Sequence, residues 1–305
     1  MVNGGNFTPR YVRLQENGQL QERVEALMQL LEPCRVCPHN CHVNRLSGEI
    51  GTCKAGAQPE VSSALAHFGE EEPLVGRHGS GTIFLTHCNL RCAFCQNDDI
   101  SQGGSGRKVE TDTLAHLMVS LQKNGCHNIN FVTPTHFTPQ IVAALPRAIE
   151  LGLRLPLVYN CGGYESVETL KLLDGIIDIY MPDAKFADAH WSQKFCNAPD
   201  YFEVMTAALK EMHRQVGVLK VDETGLAYEG LLIRHLVMPN GVAGTRTILS
   251  FIAEELSRDS YVNVMSQYRP CHRAMDFPEI SRRISYDEYE QAVAIAREVG
   301  LYRGF

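Results

Sequence analysis

The chain has 305 residues, 44% of them hydrophobic and 21% charged, which is typical of a globular protein with one large domain and an appendage. Its formal net charge of -7 and its lack of a Lys/Arg run argue against a nucleic-acid partner. No apolar run approaches the roughly 20 residues of a membrane helix and no secretory signal is visible, so we expect a cytoplasmic protein with no membrane partner.

The first part of the chain is predicted to form a helical arm followed by a small cysteine-rich module. Residues 1–33 carry the amphipathic segment QERVEALMQLLEP and form the arm. Residues 34–77 are rich in Gly, Cys and Pro and show little periodicity, which predicts a loop-dominated module that is held by a metal. We assign residues 78–275 to the main domain and residues 276–305 to a C-terminal helical segment.

From Gly79 onward, short β-branched runs alternate with segments of helical periodicity. This order predicts an α/β fold with a parallel sheet, whose functional groups gather at the carboxyl ends of the strands. Six strands are two short of a full eight-stranded barrel, and a final helix over 285–299 is expected to pack outside. The predicted strands span residues 81–86, 128–133, 155–160, 176–182, 231–238 and 261–268.

The chain has eleven cysteines, which we expect to serve metals or catalysis, because a reducing compartment disfavours disulfides. Seven of them lie between positions 34 and 95 and need a chemical explanation. The others are scattered singly and are expected to be small buried hydrophobic residues. These four are Cys126, Cys161, Cys196 and Cys271.

Three cysteines follow the first predicted strand in the segment THCNLRCAFCQN: Cys88, Cys92 and Cys95. Thiolates at this spacing suit zinc or an iron-sulfur cluster. A closed structural site normally takes four protein ligands, so this group is one ligand short. Either another residue, such as His87, completes a zinc site, or a four-iron cluster leaves one iron open to an outside ligand.

This loop resembles the signature of the radical S-adenosylmethionine superfamily, CxxxCx(aromatic)C after the first strand of a partial barrel, with Phe94 in the aromatic position. The resemblance implies a partial (β/α)6 TIM-type barrel with a 4Fe-4S cluster on the three cysteines. In that family the open iron chelates the amino and carboxylate groups of S-adenosylmethionine. One electron from the cluster then cleaves this cofactor to a 5′-deoxyadenosyl radical. An electron donor such as flavodoxin or ferredoxin is an implied partner.

The ends of the next two strands supply further candidates for cofactor binding. The family often has a GGE-like turn after the second strand, whereas this chain has TPTHFTP, in which Thr135 and His136 supply polar groups. The third strand ends in YNCGGYES, where Asn160, Gly162 and Gly163 allow the backbone to approach a ligand closely. A plain turn at the two glycines is the structural alternative.

The last three strand ends resemble those of glycyl-radical activating enzymes, such as pyruvate formate-lyase activating enzyme. MPDAKF carries an aspartate-x-lysine pair, Asp183 and Lys185, as cofactor candidates. IRHLVMPNG places Arg234 towards the methionyl carboxylate, and QYRPCHRA nominates His272. The structural alternatives are an ion pair between Arg234 and Asp183 and a hydrogen-bonded surface histidine at position 272.

A second cysteine group precedes the barrel and can supply four thiolates, enough to close a tetrahedral metal site. It resembles a CxxCPxxC head found upstream of the barrel in some radical S-adenosylmethionine proteins. Both zinc and a second iron-sulfur cluster accept four thiolates, so both remain open, as does a group that binds no metal. Extra clusters of glycyl-radical activating enzymes usually follow the radical motif, so this position weakens a direct assignment to them. The group consists of Cys34, Cys37, Cys41 and Cys53.

The sequence therefore predicts a radical S-adenosylmethionine enzyme that abstracts hydrogen from a substrate, with a glycine of a partner protein as one expected target. An alternative is radical modification of a small molecule or of a protein side chain. A non-enzyme alternative is a metal-binding or electron-transfer iron-sulfur protein, which would carry a closed cluster and no cofactor site.

Overall fold

The structure, a computed structural model, describes residues 7–305. One mixed sheet of nine strands runs through this part of the chain. In chain order the strands are β1 (Glu60–His67), β2 (Ser80–Leu85), β3 (Arg107–Lys108), β4 (Ile129–Val132), β5 (Leu157–Cys161), β6 (Ile179–Pro182), β7 (Lys220–Val221), β8 (Ala227–Leu236) and β9 (Tyr261–Met265). Their order across the sheet is β3, β1, β2, β4, β5, β6, β8 and β7, and β9 also pairs with β8.

Six of these strands, β2, β4, β5, β6, β8 and β9, pair in parallel in chain order. They coincide with the six predicted strands to within a few residues. Helices connect them, because parallel neighbours need a crossover connection. The fold confirms the predicted α/β class with a partial barrel, and it brings the carboxyl ends of the six strands to one rim.

Eleven α-helices lie in residues 7–305, and three of them begin at a residue whose side chain accepts from the first turn. In chain order they are α1 (Arg10–Glu16), α2 (Gln19–Gln29), α3 (Glu72–Val75), α4 (Asp98–Ser101), α5 (Thr111–Lys123), α6 (Thr138–Glu150), α7 (Val167–Leu172), α8 (Ala189–Cys196), α9 (Tyr201–Val216), α10 (Thr245–Phe251) and α11 (Tyr286–Glu298). The Asp188 carboxylate accepts from the His190 N–H at 2.8 Å and so caps α8, which ends at the left-handed residue Asn197. None of the helices in residues 7–305 is long and apolar enough to cross a membrane.

Strand β1 was not predicted, because its sequence EVSSALAH has only one buried residue, Val61. It is stabilised mainly by its antiparallel ladder with β2, in which His67 lies opposite Ser80, and by a short pairing with β3. The segment predicted to be loop-dominated therefore contributes an eight-residue strand to the sheet. The domain boundaries themselves stay predictions.

The N-terminal arm contains the helices α1 and α2, which Gly18 separates. Tyr11, Leu20 and Leu27 are fully buried against the rest of the chain. The Tyr11 hydroxyl donates to the carbonyl of Leu155 at 2.9 Å, just before β5. The arm therefore packs at the amino end of the parallel strands and leaves their carboxyl ends free. The polar start of the predicted arm lies outside the described residues.

Candidate active site

The loop between β2 and α4 carries the three cysteines of the predicted cluster motif. Cys88, Cys92 and Cys95 line one cavity with a volume of about 450 Å³. The Cys95 N–H donates to the Cys92 carbonyl at 3.2 Å, which tightens the loop. Phe94 lines the same cavity and packs edge-on against Phe186, with 5.8 Å between the ring centroids. The three cysteines and Phe94 therefore line the same cavity, at the carboxyl end of β2.

The carboxyl end of α8 holds this loop from the outer side. The Arg91 N–H donates to the Cys196 carbonyl at 3.2 Å, and the Ala93 N–H donates to the Phe195 carbonyl at 2.7 Å. The Cys196 sulfur lies 3.3 Å from the Cys92 sulfur and is almost fully buried. Cys196 is buried as predicted, but its thiol also contacts a candidate cluster ligand, which the sequence did not indicate.

The three loop thiols differ in their acidity. Burial raises the pKa of Cys88 and the pKa of Cys95. A hydrogen bond with Cys196 lowers the pKa of Cys92. Because thiolates are the form that binds metals, iron binding here must displace protons from Cys88 and Cys95.

The donor set of this loop fits an iron-sulfur cluster better than a single metal ion. Within residues 7–305, no three Cys, His, Asp or Glu side chains are grouped so that they could hold one metal ion. A cluster does not need such convergence, since its cysteines bind separate irons. His87, the candidate fourth ligand for zinc, instead lies 3.4 Å from the Glu60 carboxylate. The fold and this loop together define an α/β protein with an iron-sulfur loop over a ligand-sized cavity.

Three charged side chains at the ends of β6 and β8 line the same cavity. The Asp183 carboxylate accepts from Arg234 Nε at 2.8 Å and from Lys185 Nζ at 2.5 Å. Burial alone would raise the pKa of Asp183, but the charges of Arg234 and Lys185 outweigh burial and hold this pKa below its usual value. The ion pair that we considered as an alternative is present. All three side chains nevertheless face the cavity, so a ligand could reach them.

The turn after β5 supplies two further cavity residues. Asn160 lines the cavity and its Oδ1 accepts from Arg234 Nη2 at 2.8 Å. Gly162 also lines the cavity, at a place where a side chain would contact the cysteine loop. Gly163 has a φ of +78°, and a Cβ there would lie 2.1 Å from the Asp183 carbonyl oxygen. Glycine at position 163 therefore allows the backbone at Asp183, just after β6, to pack closely against this turn, and it does not serve the approach of a ligand.

The structure places Thr135 and His136 outside the cavity lining, in the packed layer beneath the strand ends. Thr135 Oγ1 donates to Glu165 at 2.7 Å, and His136 Nε2 lies 2.7 Å from the carbonyl oxygen of Thr86. Burial lowers the pKa of His136 to about 3, so this ring is neutral. Thr133, which has a φ of +59°, turns the chain and lines the cavity in their place.

His272 also lies outside the cavity lining. Its Nδ1 lies 3.1 Å from the Asp98 carboxylate, in the helix that follows the cysteine loop. The adjacent Arg273 N–H donates to the carbonyl of Ala93 at 2.9 Å. The segment after β9 therefore braces the cysteine loop from outside, and the structure brings His272 near the loop but not to the cofactor candidates.

Two acids near the cavity were not among the predicted site residues. Glu165 is buried and accepts hydrogen bonds from Thr135 at 2.7 Å and from the Tyr159 hydroxyl at 3.1 Å, while burial raises its pKa to about 7. Glu70 lies on the segment after β1 and lines the cavity. Glu165 belongs to the YNCGGYES strand end and could have been nominated from that position. Glu70 follows a strand that the sequence did not reveal.

The thiols of the second cysteine group influence one another's pKa values, and their metal stays a prediction. Three of its members are buried and Cys41 is half-buried. Burial, and then the neighbouring Cys53, raise the pKa of Cys37, so these two thiols lie close to each other. Neither zinc nor a second cluster is shown for Cys34, Cys37, Cys41 and Cys53.

The cysteine-rich module packs directly against the cysteine loop of the barrel. His39 Nε2 donates to the Asn89 carbonyl at 2.6 Å. Arg91 Nη2 donates to the Thr52 carbonyl at 3.0 Å. Each contact joins a residue within two positions of a module cysteine to a residue next to a loop cysteine, so the two cysteine groups are neighbours in space.

Comparisons with known proteins agree with this description. Residues 82–227 match the Radical SAM superfamily. The chain is 33% identical over 289 residues to uncharacterized protein MJ0674 of Methanocaldococcus jannaschii, covering 92% of this chain and 79% of the relative. It is 22% identical over 298 residues to uncharacterized protein MJ0808 of the same organism, covering 88% of this chain and 81% of the relative.

Among solved structures, HydG, a maturase of the FeFe-hydrogenase, matches with a TM-score of 0.49 at 13% identity; the match covers 73% of this chain and 49% of that one. The chain belongs to the radical S-adenosylmethionine superfamily. Membership implies a 4Fe-4S cluster and S-adenosylmethionine as cofactors.

Proposed function

We propose that this chain cleaves S-adenosylmethionine reductively and uses the resulting radical to abstract a hydrogen atom from a substrate in the same cavity. The cluster supplies the electron when it is bound. One observation supports the proposal above the others: the three loop cysteines and the Asp183, Lys185 and Arg234 side chains line a single cavity of about 450 Å³. That volume is within the usual range of small-molecule sites.

The residues of the cavity divide into a cluster-binding group and a cofactor-positioning group. Cys88, Cys92 and Cys95 would hold the cluster. Arg234 Nε donates to Asp183, and Arg234 Nη2 donates to Asn160. The third nitrogen, Nη1, lies 3.7 Å from the nearest acid, Glu71, which is beyond hydrogen-bond distance. Nη1 can therefore donate to the cofactor carboxylate without breaking the pairs that hold the guanidinium.

The finer proposal is that the substrate is a glycine of a partner protein, as for glycyl-radical activating enzymes. The motifs MPDAKF and IRHLVMPNG support it, since each occupies a strand end of the rim and contributes a cavity residue, Asp183 and Arg234 respectively. We further propose an electron donor such as flavodoxin or ferredoxin as a partner.

A second candidate is radical modification of a small molecule or of a protein side chain. The buried carboxylate of Glu70 supports it, because this acid lines the cavity and suits a substrate with a polar or charged group. A glycine in a peptide offers no side chain to such an acid.

The test is 5′-deoxyadenosine formation by the anaerobically reconstituted, reduced protein with S-adenosylmethionine. The cysteine variant Cys92→Ala is the matched negative control. Formation of 5′-deoxyadenosine by the parent alone supports the enzyme proposal, whereas a fully loaded parent that makes none overturns it. Transfer of deuterium from labelled candidate substrates into 5′-deoxyadenosine then separates a peptide glycine from the second candidate.

A further inference from the structure

An acidic pair, Glu70 and Glu71, lies at the cavity: Glu70 lines it, and Glu71 lies 3.7 Å from Arg234, another cavity residue. Both follow β1, which runs antiparallel to β2 and ends with His67 opposite Ser80, the first residue of β2. The cysteines instead follow the last residue of β2. Glu70 and His67 nevertheless line the same cavity as the cysteines, so the acidic pair approaches that cavity from the amino end of the barrel.

Both carboxylates are buried but incompletely compensated. Each side chain is only 7% exposed. Glu70 accepts from Asn160 Nδ2 at 3.5 Å and lies 3.2 Å from His67 Nδ1. Glu71 Oε1 accepts from Asn263 at 3.2 Å, whereas its Oε2 is buried and has no hydrogen-bond partner among residues 7–305. An unpartnered buried carboxylate oxygen is costly unless a donor arrives from outside the chain.

The cations of the cavity do not fully compensate the acidic pair. Lys185 and Arg234 both pair with Asp183, at 2.5 Å and 2.8 Å, and Arg234 also lies 3.7 Å from Glu71. In the described chain, His67 is the only side chain within ion-pair distance of Glu70. Burial raises the pKa of Glu70, although the charge of Arg234 acts in the opposite direction. Three acids, Asp183, Glu70 and Glu71, thus share the two cations Lys185 and Arg234, so the site has an acid in excess.

We propose that Glu70, with Glu71 beside it, binds an ammonium or guanidinium group of the substrate, so that the substrate is an organic cation or a basic side chain. The inference rests on the proposed function in its second form, radical modification of a small molecule or of a protein side chain, and names the substrate class. S-adenosylmethionine also carries an ammonium group, but the family resemblance directs that group to the open iron, at the cysteine end. A charged donor at Glu70 forms a charge-assisted bond in a site of low dielectric, which a neutral isostere cannot replace.

The experiment compares n-butylammonium with its neutral isostere n-butanol as probes, using the full, cluster-loaded chain with S-adenosylmethionine and titration calorimetry. We expect n-butylammonium to bind at least about tenfold more tightly than n-butanol. Glu70→Gln should remove this preference and leave cluster absorption and S-adenosylmethionine affinity unchanged. Glu72→Gln changes an exposed acid two residues after Glu70; it is the matched control and should keep the preference.

Equal binding of the two probes by the parent chain overturns the inference, and this result does not depend on whether any variant folds. An unchanged preference in Glu70→Gln also overturns it. Loss of S-adenosylmethionine affinity in Glu70→Gln would assign the carboxylate to the cofactor and likewise reject the inference. Since binding of n-butylammonium requires no turnover, failure of the proposed function appears separately, as absence of 5′-deoxyadenosine from the parent.

Discussion

The sulfur atoms of Cys92 and Cys196 lie 3.3 Å apart, and two backbone hydrogen bonds join the segments that carry them. Two thiolates on one tetrahedral metal at about 2.3 Å would lie about 3.8 Å apart, and cluster ligands on separate irons lie further apart still. Cys196 is therefore placed as a hydrogen-bond donor to the Cys92 thiolate and not as a fourth cluster ligand.

Cys196→Ala should make the midpoint potential of the cluster more negative. Removing a donor to a cluster sulfur destabilises the reduced, more negative state. Redox titration followed by electron paramagnetic resonance measures this potential. Cys196→Ser, which restores a donor, should recover part of the shift, and Cys126→Ala, at a buried cysteine near the amino end of β2, should cause none. Equal potentials in the parent and in Cys196→Ala would show that the contact has no role in tuning the cluster.

Cys92→Ala should lose most of the iron from the loop and all cleavage of S-adenosylmethionine. Only two thiolates would remain, and the cavity would keep its charged residues. Iron analysis and 5′-deoxyadenosine formation measure the two effects. Cys271→Ala, at a half-buried cysteine outside the loop, is the control. A Cys92→Ala variant that makes 5′-deoxyadenosine at the parent rate would refute the cluster assignment.

Arg234→Ala should keep its cluster absorption and bind S-adenosylmethionine roughly ten- to a hundred-fold more weakly. The lost contact is charge-assisted and of a kind that contributes about 1.5 to 3 kcal/mol. Equilibrium binding to the loaded protein measures the change. Arg147→Ala, at an exposed arginine that pairs with Asp112, should bind as the parent does. Unchanged affinity in Arg234→Ala would reduce the Arg234–Asp183 pair to a structural role.

Because of Glu165, the free energy of unfolding should fall as the pH rises from about 4.3 to about 7. Its folded-state pKa, raised by burial to about 7, exceeds the unfolded value, so its stabilising contribution is complete below the unfolded pKa and is lost as pH rises through about 7. Glu165→Gln should flatten this part of the profile in denaturant titrations across that range. The exposed neighbour Glu168→Gln should retain the parent slope, and an equally steep profile in Glu165→Gln would contradict the assignment.

Cys37→Ser combined with Cys41→Ser should remove one metal equivalent and leave the loop cluster intact. Protease sensitivity should appear within residues 34–58, because residues from Glu60 onward are held by the ladder with β2. Metal analysis of the purified protein distinguishes zinc from iron. A double variant that loses no metal and shows no new cleavage would mean that these cysteines are held by packing alone.

The six parallel strands could be predicted because each is a short apolar run that local sequence specifies. The spacing of Cys88, Cys92 and Cys95 is also local, so their joint position on one loop followed from sequence. The inward orientation of Thr135 and His136 could not be predicted, because it depends on the backbone turn at Thr133 and on partners in other strands.

Contacts between distant parts of the chain were the other features missed. Cys196 meets Cys92 across 104 residues, and only the docking of α8 onto the loop brings them together. Glu70 reaches Asn160 across 90 residues. Glu70 follows β1, a strand with little alternation of apolar and polar residues. This strand forms because β2 offers free backbone groups, and hydrophobic periodicity in the sequence cannot reveal such a partner.

The position of β1 also determines where the sheet can meet other proteins. Without β1, the first strand of the barrel would present a row of unpaired backbone groups, which can recruit strands from other chains and cause aggregation. With β1 in place, β2 has a partner on that side, and the two exposed residues of β3, Arg107 and Lys108, pair with Val61 and Glu60 at the start of β1. The positive charges of these two residues disfavour pairing with a further strand at that end of the edge. The segment that precedes the barrel therefore pairs with an edge of the first parallel strand that strands of other chains could otherwise join.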